Sequence, residues 1–339
     1  MNRLARMLRA LWTTRALRVP ASCLLVLMPA AAFAQETREY DLPELDKEVR
    51  QETSIGELVK VGLKASNRFV GLADFGDYKA NSYQPEFRLR VTTPVARNAG
   101  IRLMGTGRIL QYDFIEGDPD LRIGSVSDGP FDSLYKWTVR LQGAYLLDEH
   151  WTIFSKSERW SLLLDLFTQA AWEKGADMND TIGGGGSFAV GFRFGETLEL
   201  AAGVSLGTSL RTGELKVKPV AEFDWRVNDQ WKISSQGLGL QVERRLGERF
   251  VLFARARMEG SSYQLADRGE QIGDAFLRIR QVPVGLGLKW NLTRYLRVTT
   301  LGGVMALHRL EVQDRHGTKL DSDTAGPSPY FLVRFDLKS

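Results

Sequence analysis

The stretch Thr197–Leu210, "TLELAAGVSLGTSL", reads as two interleaved sequences. One register holds Leu198, Leu200, Ala202, Val204 and Leu206; the other holds Glu199, Ala201, Gly203, Ser205 and Gly207. Period-2 alternation of this kind specifies a β-strand with one apolar and one polar face. Small and charged residues cannot build a dry core, so the second face is expected to look onto water or ion pairs along its length. Two environments satisfy such a strand: one sheet of a soluble sandwich, or the wall of a membrane-spanning barrel.

The same scheme recurs along the chain. "SFAVGFRF" sets Phe188, Val190, Phe192 and Phe194 against Ala189, Gly191 and Arg193. "LKVKPVAEFDW" opposes Leu215, Val217, Ala221, Phe223 and Trp225 to Lys216, Lys218, Glu222 and Asp224. "WTVRLQGAYLL" and "FVLFARARMEG" place Arg140, Arg255, Arg257 and Glu259 on their polar faces. "EFRLRVT" does the same with Glu86, Arg88 and Arg90.

Turn spacing chooses between the two environments. Tight breaks fall at 96–99, 148–149, 195–196, 228–230, 247–249 and 292–294. Between them lie longer connections near 75–82, 115–131, 161–182, 209–214, 264–274 and 312–326. Short turns at one end and long loops at the other are the arrangement of an outer-membrane barrel. Upward strands are predicted to begin near 62, 100, 150, 196, 230, 250 and 295, and downward strands to end near 94, 147, 194, 227, 246, 291 and 337. The sequence therefore predicts an all-β, up-and-down antiparallel transmembrane barrel of about fourteen strands. Twelve result if "WKISSQGLGLQVERRL" is one strand rather than two. Trp151, Trp225, Trp231, Trp290, Tyr145, Phe194, Phe250 and Tyr295 all lie near tight turns, as an interfacial aromatic belt requires.

The barrel is assigned to residues 61–339. Residues 1–34 carry five arginines and no acid, then the apolar run "ASCLLVLMPAAAFA" ending in Ala32-Phe33-Ala34. That pattern predicts a cleaved signal peptide. The acidic segment 35–60 is expected to be a periplasmic lead-in. Without the signal, 40 basic side chains face 41 acidic ones, so the charge balance excludes nucleic acid as a partner. Cys23 is the only cysteine, which removes disulfides and cysteine-ligated metals from the remaining chain.

Across residues 62–337 the chain resembles the Gram-negative outer-membrane β-barrel superfamily. Segments such as "FDWRVNDQWKISSQGLGLQVERRLGERFVLFARARM" and "VPVGLGLKWNLTRYLRVTTLGGV" are similar to a functionally uncharacterised family within it. The resemblance implies residence in the outer membrane, contact with its lipid and delivery by the barrel-assembly machinery. The C-terminal "YFLVRF" alternates as the usual assembly signal does, but "DLKS" follows Phe335 where a terminal aromatic is normal.

Three local features qualify the pattern. Pro85, Pro219 and Pro283 fall inside strands and each removes a ladder donor, which predicts bulges or register changes. "WSLLLDLFTQAAW" fits either helical spacing or a strand running past the membrane edge. The run Gly183–Gly186 lacks the Lys-Ser/Thr and helix of a phosphate loop and is expected to serve strand bending.

The functional expectation follows from the wet face. Arg88, Arg90, Arg140, Lys216, Lys218, Glu222, Asp224, Arg255, Arg257 and Glu259 are predicted to face the lumen. Either they pair across strands and close it, or they line a path for small polar or amphipathic solutes with an anion preference. No cofactor or metal is expected, and no enzyme activity. The competing hydrolase reading needs His308 or His316 with Asp314 or Asp321 and a loop Ser at the outer rim, and no local spacing supports it.

Overall fold

The structure, a computed structural model, describes residues 59–96, 98–117, 131–147, 158–177, 181–208, 215–235, 237–267, 275–314 and 316–338. The proposed signal peptide, the lead-in to residue 58 and Trp151 lie outside these residues. The strands are β1 (Lys60–Asp74), β2 (Tyr78–Ala96), β3 (Ala99–Gly117), β4 (Leu134–Leu146) and β5 (Glu158–Glu173). Then follow β6 (Ile182–Phe194), β7 (Leu198–Thr208), β8 (Leu215–Arg226), β9 (Trp231–Ser235) and β10 (Gly239–Arg245). The chain ends with β11 (Phe250–Arg257), β12 (Glu259–Gln264), β13 (Phe276–Asn291), β14 (Leu296–Gln313), β15 (Lys319–Ala325) and β16 (Ser328–Lys338). No helix among the described residues is long and apolar enough to cross a membrane.

All sixteen segments belong to one sheet, and each from β1 to β10 pairs antiparallel with the next. β11 and β12 both pair with β13 in one continuous register, interrupted only at Met258. β15 and β16 likewise share β14. The sixteen segments are thus fourteen staves, and β16 closes the cylinder on β1 from Gly62↔Lys338 to Val70↔Tyr330. "WKISSQGLGLQVERRL" forms two strands, β9 and β10, which excludes twelve.

Burial is inverted relative to a soluble protein. Arg102, Gln142 and Asp165 are fully buried inside the cylinder, whereas Trp137 and Leu286 stand 58% and 67% exposed on its outside. In β7, Leu200, Val204 and Leu206 point outward, with Glu199, Ala201, Ser205 and Gly207 buried. Each large apolar side chain left in water forgoes roughly 1.5–3 kcal/mol. Phe87, Leu89, Leu103, Val139, Leu164, Leu166, Phe188, Val217, Leu252, Val284 and Phe331 share that exposed surface. A continuous apolar band of this extent requires lipid. At the tight-turn end Tyr145, Phe194, Trp231, Phe250, Trp290 and Tyr295 are all exposed. Phe250 stacks on Trp290 at 5.8 Å between centroids, and Arg294 lies 4.4 Å over the Tyr295 ring. This is the expected interfacial belt.

Four expectations are corrected. The long connection expected at 161–182 is strand β5 as far as Glu173, so of the two readings of "WSLLLDLFTQAAW" the strand holds; Leu163, Asp165, Phe167 and Gln169 point inward on alternate positions. Its helical appearance came from Leu163 and Phe167, apolar residues on a face assumed to be polar. Of the three prolines only Pro283 sits at a register shift, between Gln281 and Pro283 of β13 in its pairing with β14, while β8 stays in register through Pro219 and β2 through Pro85. The connection near 75–82 is a tight turn at 75–77. Asp74 Oδ1 accepts the Gly76 amide at 2.9 Å, and Gly76 adopts φ +95°, open to glycine without strain.

The fourth correction concerns the lumen. β1–β5 and β12–β15 continue beyond the ends of β6–β10, and β12 crosses to meet β5 in a parallel bridge at Gln264↔Trp172. The intervening strands β6–β11 drop out of the wall at that level. The narrowed end is filled by Phe75, Tyr78, Leu110, Phe131, Leu134, Tyr263, Leu265, Leu277, Ile279, Leu310 and Val312, all buried. The inward face is therefore dry at the loop end and wet only below it. These inward apolar residues come from different strands, so no single strand reveals the cluster they make together.

Candidate functional site: the charged lumen

Below the apolar packing lie two adjoining cavities. The one next to the packing measures about 120 Å³, and the larger, toward the tight-turn end, about 410 Å³. They share Lys64, Arg88, Met104, Arg255, Leu332 and Arg334 as walls. Eight of the ten lumen residues expected from sequence line these chambers: Arg88, Arg90, Arg140, Glu222, Asp224, Arg255, Arg257 and Glu259. Lys216 and Lys218 alternate with exposed Leu215 and Val217 near the start of β8 and line neither chamber.

Strand register brings the charges together. Glu86 of β2 is directly opposite Arg108 of β3. Its Oε2 accepts from Arg108 Nη2 at 2.6 Å and Nε at 3.1 Å, while Oε1 accepts from Arg88 at 3.3 Å. Lys64 stands 3.8 Å away. Arg140 and Asp165 meet across β4 and β5 at 3.4 Å, and Lys232 reaches Asp224 across β8 and β9 at 2.8 Å. Lys289 of β13 reaches Glu243 of β10 at 2.6 Å. The pairs between adjacent strands are those any sheet makes, whereas Lys289–Glu243 passes over the intervening β11.

One pair spans much further. Arg68 donates to both oxygens of Glu259, at 2.7 and 3.1 Å, although β1 and β12 are not hydrogen-bonded neighbours. The bidentate fork is a strut across the lumen, the strongest geometry available to a guanidinium and a carboxylate. Lys136 of β4 reaches Ser261 of β12 at 3.5 Å beside it. The barrel is braced from within at the level where the wet lumen ends.

The charge balance is lopsided. The smaller cavity is walled by nine cationic side chains and only two carboxylates, Glu86 and Glu259; the larger has nine against four. Sequence reading did not single out Arg68, Arg108 or Arg334 as luminal. Their signal was present: Lys64, Ser66 and Arg68 alternate with apolar Leu63, Ala65 and Phe69 on β1.

His308 lies within the apolar end of the lumen rather than at a rim. It is fully buried, with the Tyr112 hydroxyl 2.7 Å and the Gln281 amide 3.1 Å from Nε2, and the Phe75 ring 5.3 Å away. Neither Asp314 nor Asp321 pairs with it; Asp314 accepts the Thr318 amide at 2.7 Å in the β14–β15 turn. His308 is thus not joined to either aspartate, while His316 lies beside Asp314 in the β14–β15 turn. No group of metal-ligating side chains occurs among the described residues.

A closed antiparallel cylinder with an apolar exterior and ion-paired interior defines a transmembrane β-barrel protein of the outer-membrane type. The chain belongs to the family described as domain of unknown function DUF6268, whose model matches residues 154–338, more than half of it. No curated protein sequence matches it. Among solved structures it is similar to an outer-membrane channel from Pseudomonas putida F1, at 8% identity, covering 83% of this chain and 95% of that one, with TM-score 0.40. It is also similar to the P. putida toluene transporter TodX, at 9% identity over 83% and 89%, with TM-score 0.35. The translocator domain of the autotransporter NalP from Neisseria meningitidis aligns at 9% identity over 87% and 94%, with TM-score 0.32. No solute or mechanism passes from these proteins to this chain.

Proposed function

We propose that this protein is an outer-membrane channel for small polar or amphipathic solutes, with anions preferred. In this reading residues 1–34 direct export and are removed, and residues 35–60 lie in the periplasm. The barrel reaches the outer membrane through the barrel-assembly machinery. The observation that carries the proposal is the pair of connected, cation-rich chambers leading from the tight-turn end to the apolar packing. Charged rings select ions by sign, and apolar constrictions gate by excluding water. The lower lumen then supplies selectivity, and the packing around Leu277 and Leu310 is the gate. Diffusion is the mechanism, and no cofactor takes part.

A second reading is favoured by that same packing and by the Arg68–Glu259 strut: a permanently closed barrel whose external loops make its contacts in this reading. Planar-bilayer recording of the refolded barrel separates the two. Discrete steps with an anion-selective reversal potential, shifted toward neutrality in Arg255→Ala/Arg257→Ala, support the channel. Electrical silence across the accessible voltage range supports the closed barrel and removes the channel.

A further inference from the structure

We propose that the junction of the two chambers is a binding site for a small, multiply charged oxyanion, held chiefly by Arg255 and Arg334. The inference rests on this face being an enclosed lumen, as the channel reading does, but it does not need conduction.

Arg255 and Arg334 wall both chambers. Arg255 is 7% exposed, and its Nε has no hydrogen-bond partner; neither has that of Arg334. Among the described residues no carboxylate lies within salt-bridge distance of either side chain, and the two acids of the smaller chamber are engaged elsewhere. Glu259 is forked by Arg68, and Glu86 is shared by Arg108 and Arg88. Glu259 attracts Arg255, and the charges of Arg334, Arg257 and Arg68 repel it.

Buried charge is normally paired. A lysine in such a place can shed its proton, but a guanidinium cannot. Like-charged guanidiniums forced together at the end of a lumen therefore call for an anion from outside. Planar N–H forks match the oxygens of phosphate and carboxylate groups, which two arginines grip from two directions. A chamber of about 120 Å³ admits a small oxyanion and excludes a lipid or a folded peptide, while the chamber of about 410 Å³ gives it a route from the tight-turn end.

The test is titration calorimetry and thermal unfolding of the refolded barrel at constant ionic strength. Inorganic pyrophosphate and citrate serve as probes, with chloride as the reference anion. Saturable binding of either probe, with Kd below about 1 mM and a raised unfolding temperature, is expected. Pyrophosphate alone identifies a phosphate site, and citrate alone a carboxylate site. In Arg255→Met/Arg334→Met the affinity falls by roughly 10- to 100-fold, and the anion-free variant unfolds no lower than wild type because like charges have left. Arg255→Lys keeps the charge and loses the fork, so it binds more weakly than wild type; it stands in if the double variant does not refold. Arg294→Ala, on an exposed turn, leaves binding unchanged. No binding above chloride, or equal affinity in Arg255→Lys and the double Met variant, overturns the inference. Binding without conductance removes the channel reading and leaves this one; conductance without binding does the reverse.

Discussion

Replacing Glu259 by Gln tests the internal brace. The carboxylate is gripped by Arg68 at 2.7 and 3.1 Å and lies 3.9 Å from Arg257, with side chains at most 15% exposed. At the shorter distance and an effective dielectric of about 20, the Arg68–Glu259 attraction is about 6 kcal/mol. Removing one partner leaves the other charge desolvated, so the net loss of stability is expected to be ~3–5 kcal/mol. The cation excess makes the effect asymmetric. Glu259→Gln strips the chamber of one of its two carboxylates, whereas Arg68→Met removes one of nine cations and leaves Glu259 beside Arg257. Arg68→Met is therefore expected to cost less than Glu259→Gln. Equilibrium urea unfolding in lipid vesicles, followed by tryptophan fluorescence and heat-modifiable gel migration, measures both variants and closes a double-mutant cycle with Arg68→Met/Glu259→Gln. If Glu259→Gln unfolds within ~1 kcal/mol of wild type, or Arg68→Met is the more damaging, the strut does not brace the lumen.

Leu277→Ala and Leu310→Ala hollow the apolar end of the lumen. Each is expected to cost ~2–5 kcal/mol and, if that packing gates the channel, to raise open probability in bilayer recordings. Gly185→Val puts a side chain against the Leu206 carbonyl and the Phe167 ring, so the variant should refold in lower yield on the heat-modifiability gel. Asp132, at the loop before β4, accepts the Ser133 amide at 2.6 Å and faces Lys174 at 3.3 Å. These contacts, the Ser133 amide foremost, hold its carboxyl below the usual carboxylate range. A depressed folded value means the stabilisation is present above the ordinary carboxylate pKa of about 4 and disappears as pH falls through the lower folded value. Melting temperatures of wild type and Asp132→Asn should thus differ at neutral pH and converge in acid.

The wall of this barrel was legible because each strand states its two faces locally. Strand ends predicted at 147, 194, 227, 246, 291 and 337 fall within a residue of those observed. The loop end was not legible. Leu277, Ile279, Leu310 and Val312 continue strands whose lower halves obey the opposite rule, and only their meeting with Tyr263 and Phe75 across the lumen makes a core. Long connections expected at 161–182 and 312–326 proved to be strand over much of their length. The charges show the same division. Arg88, Arg255 and Glu259 could be assigned inward from alternation, but the fork from Arg68 to Glu259 joins positions 191 apart in sequence, which alternation does not encode.

The central claim is that greasy and charged positions on each strand face two different solvents. Single cysteines introduced into a Cys23-free chain at Phe87, Arg88, Leu89 and Arg90, carrying a fluorescent label in reconstituted vesicles, address it directly. Strict alternation is predicted: a lipid-phase quencher should reach labels at 87 and 89, and labels at 88 and 90 should escape it. Equal quenching at all four positions, or a chain that stays folded in buffer without lipid or detergent, would contradict the account.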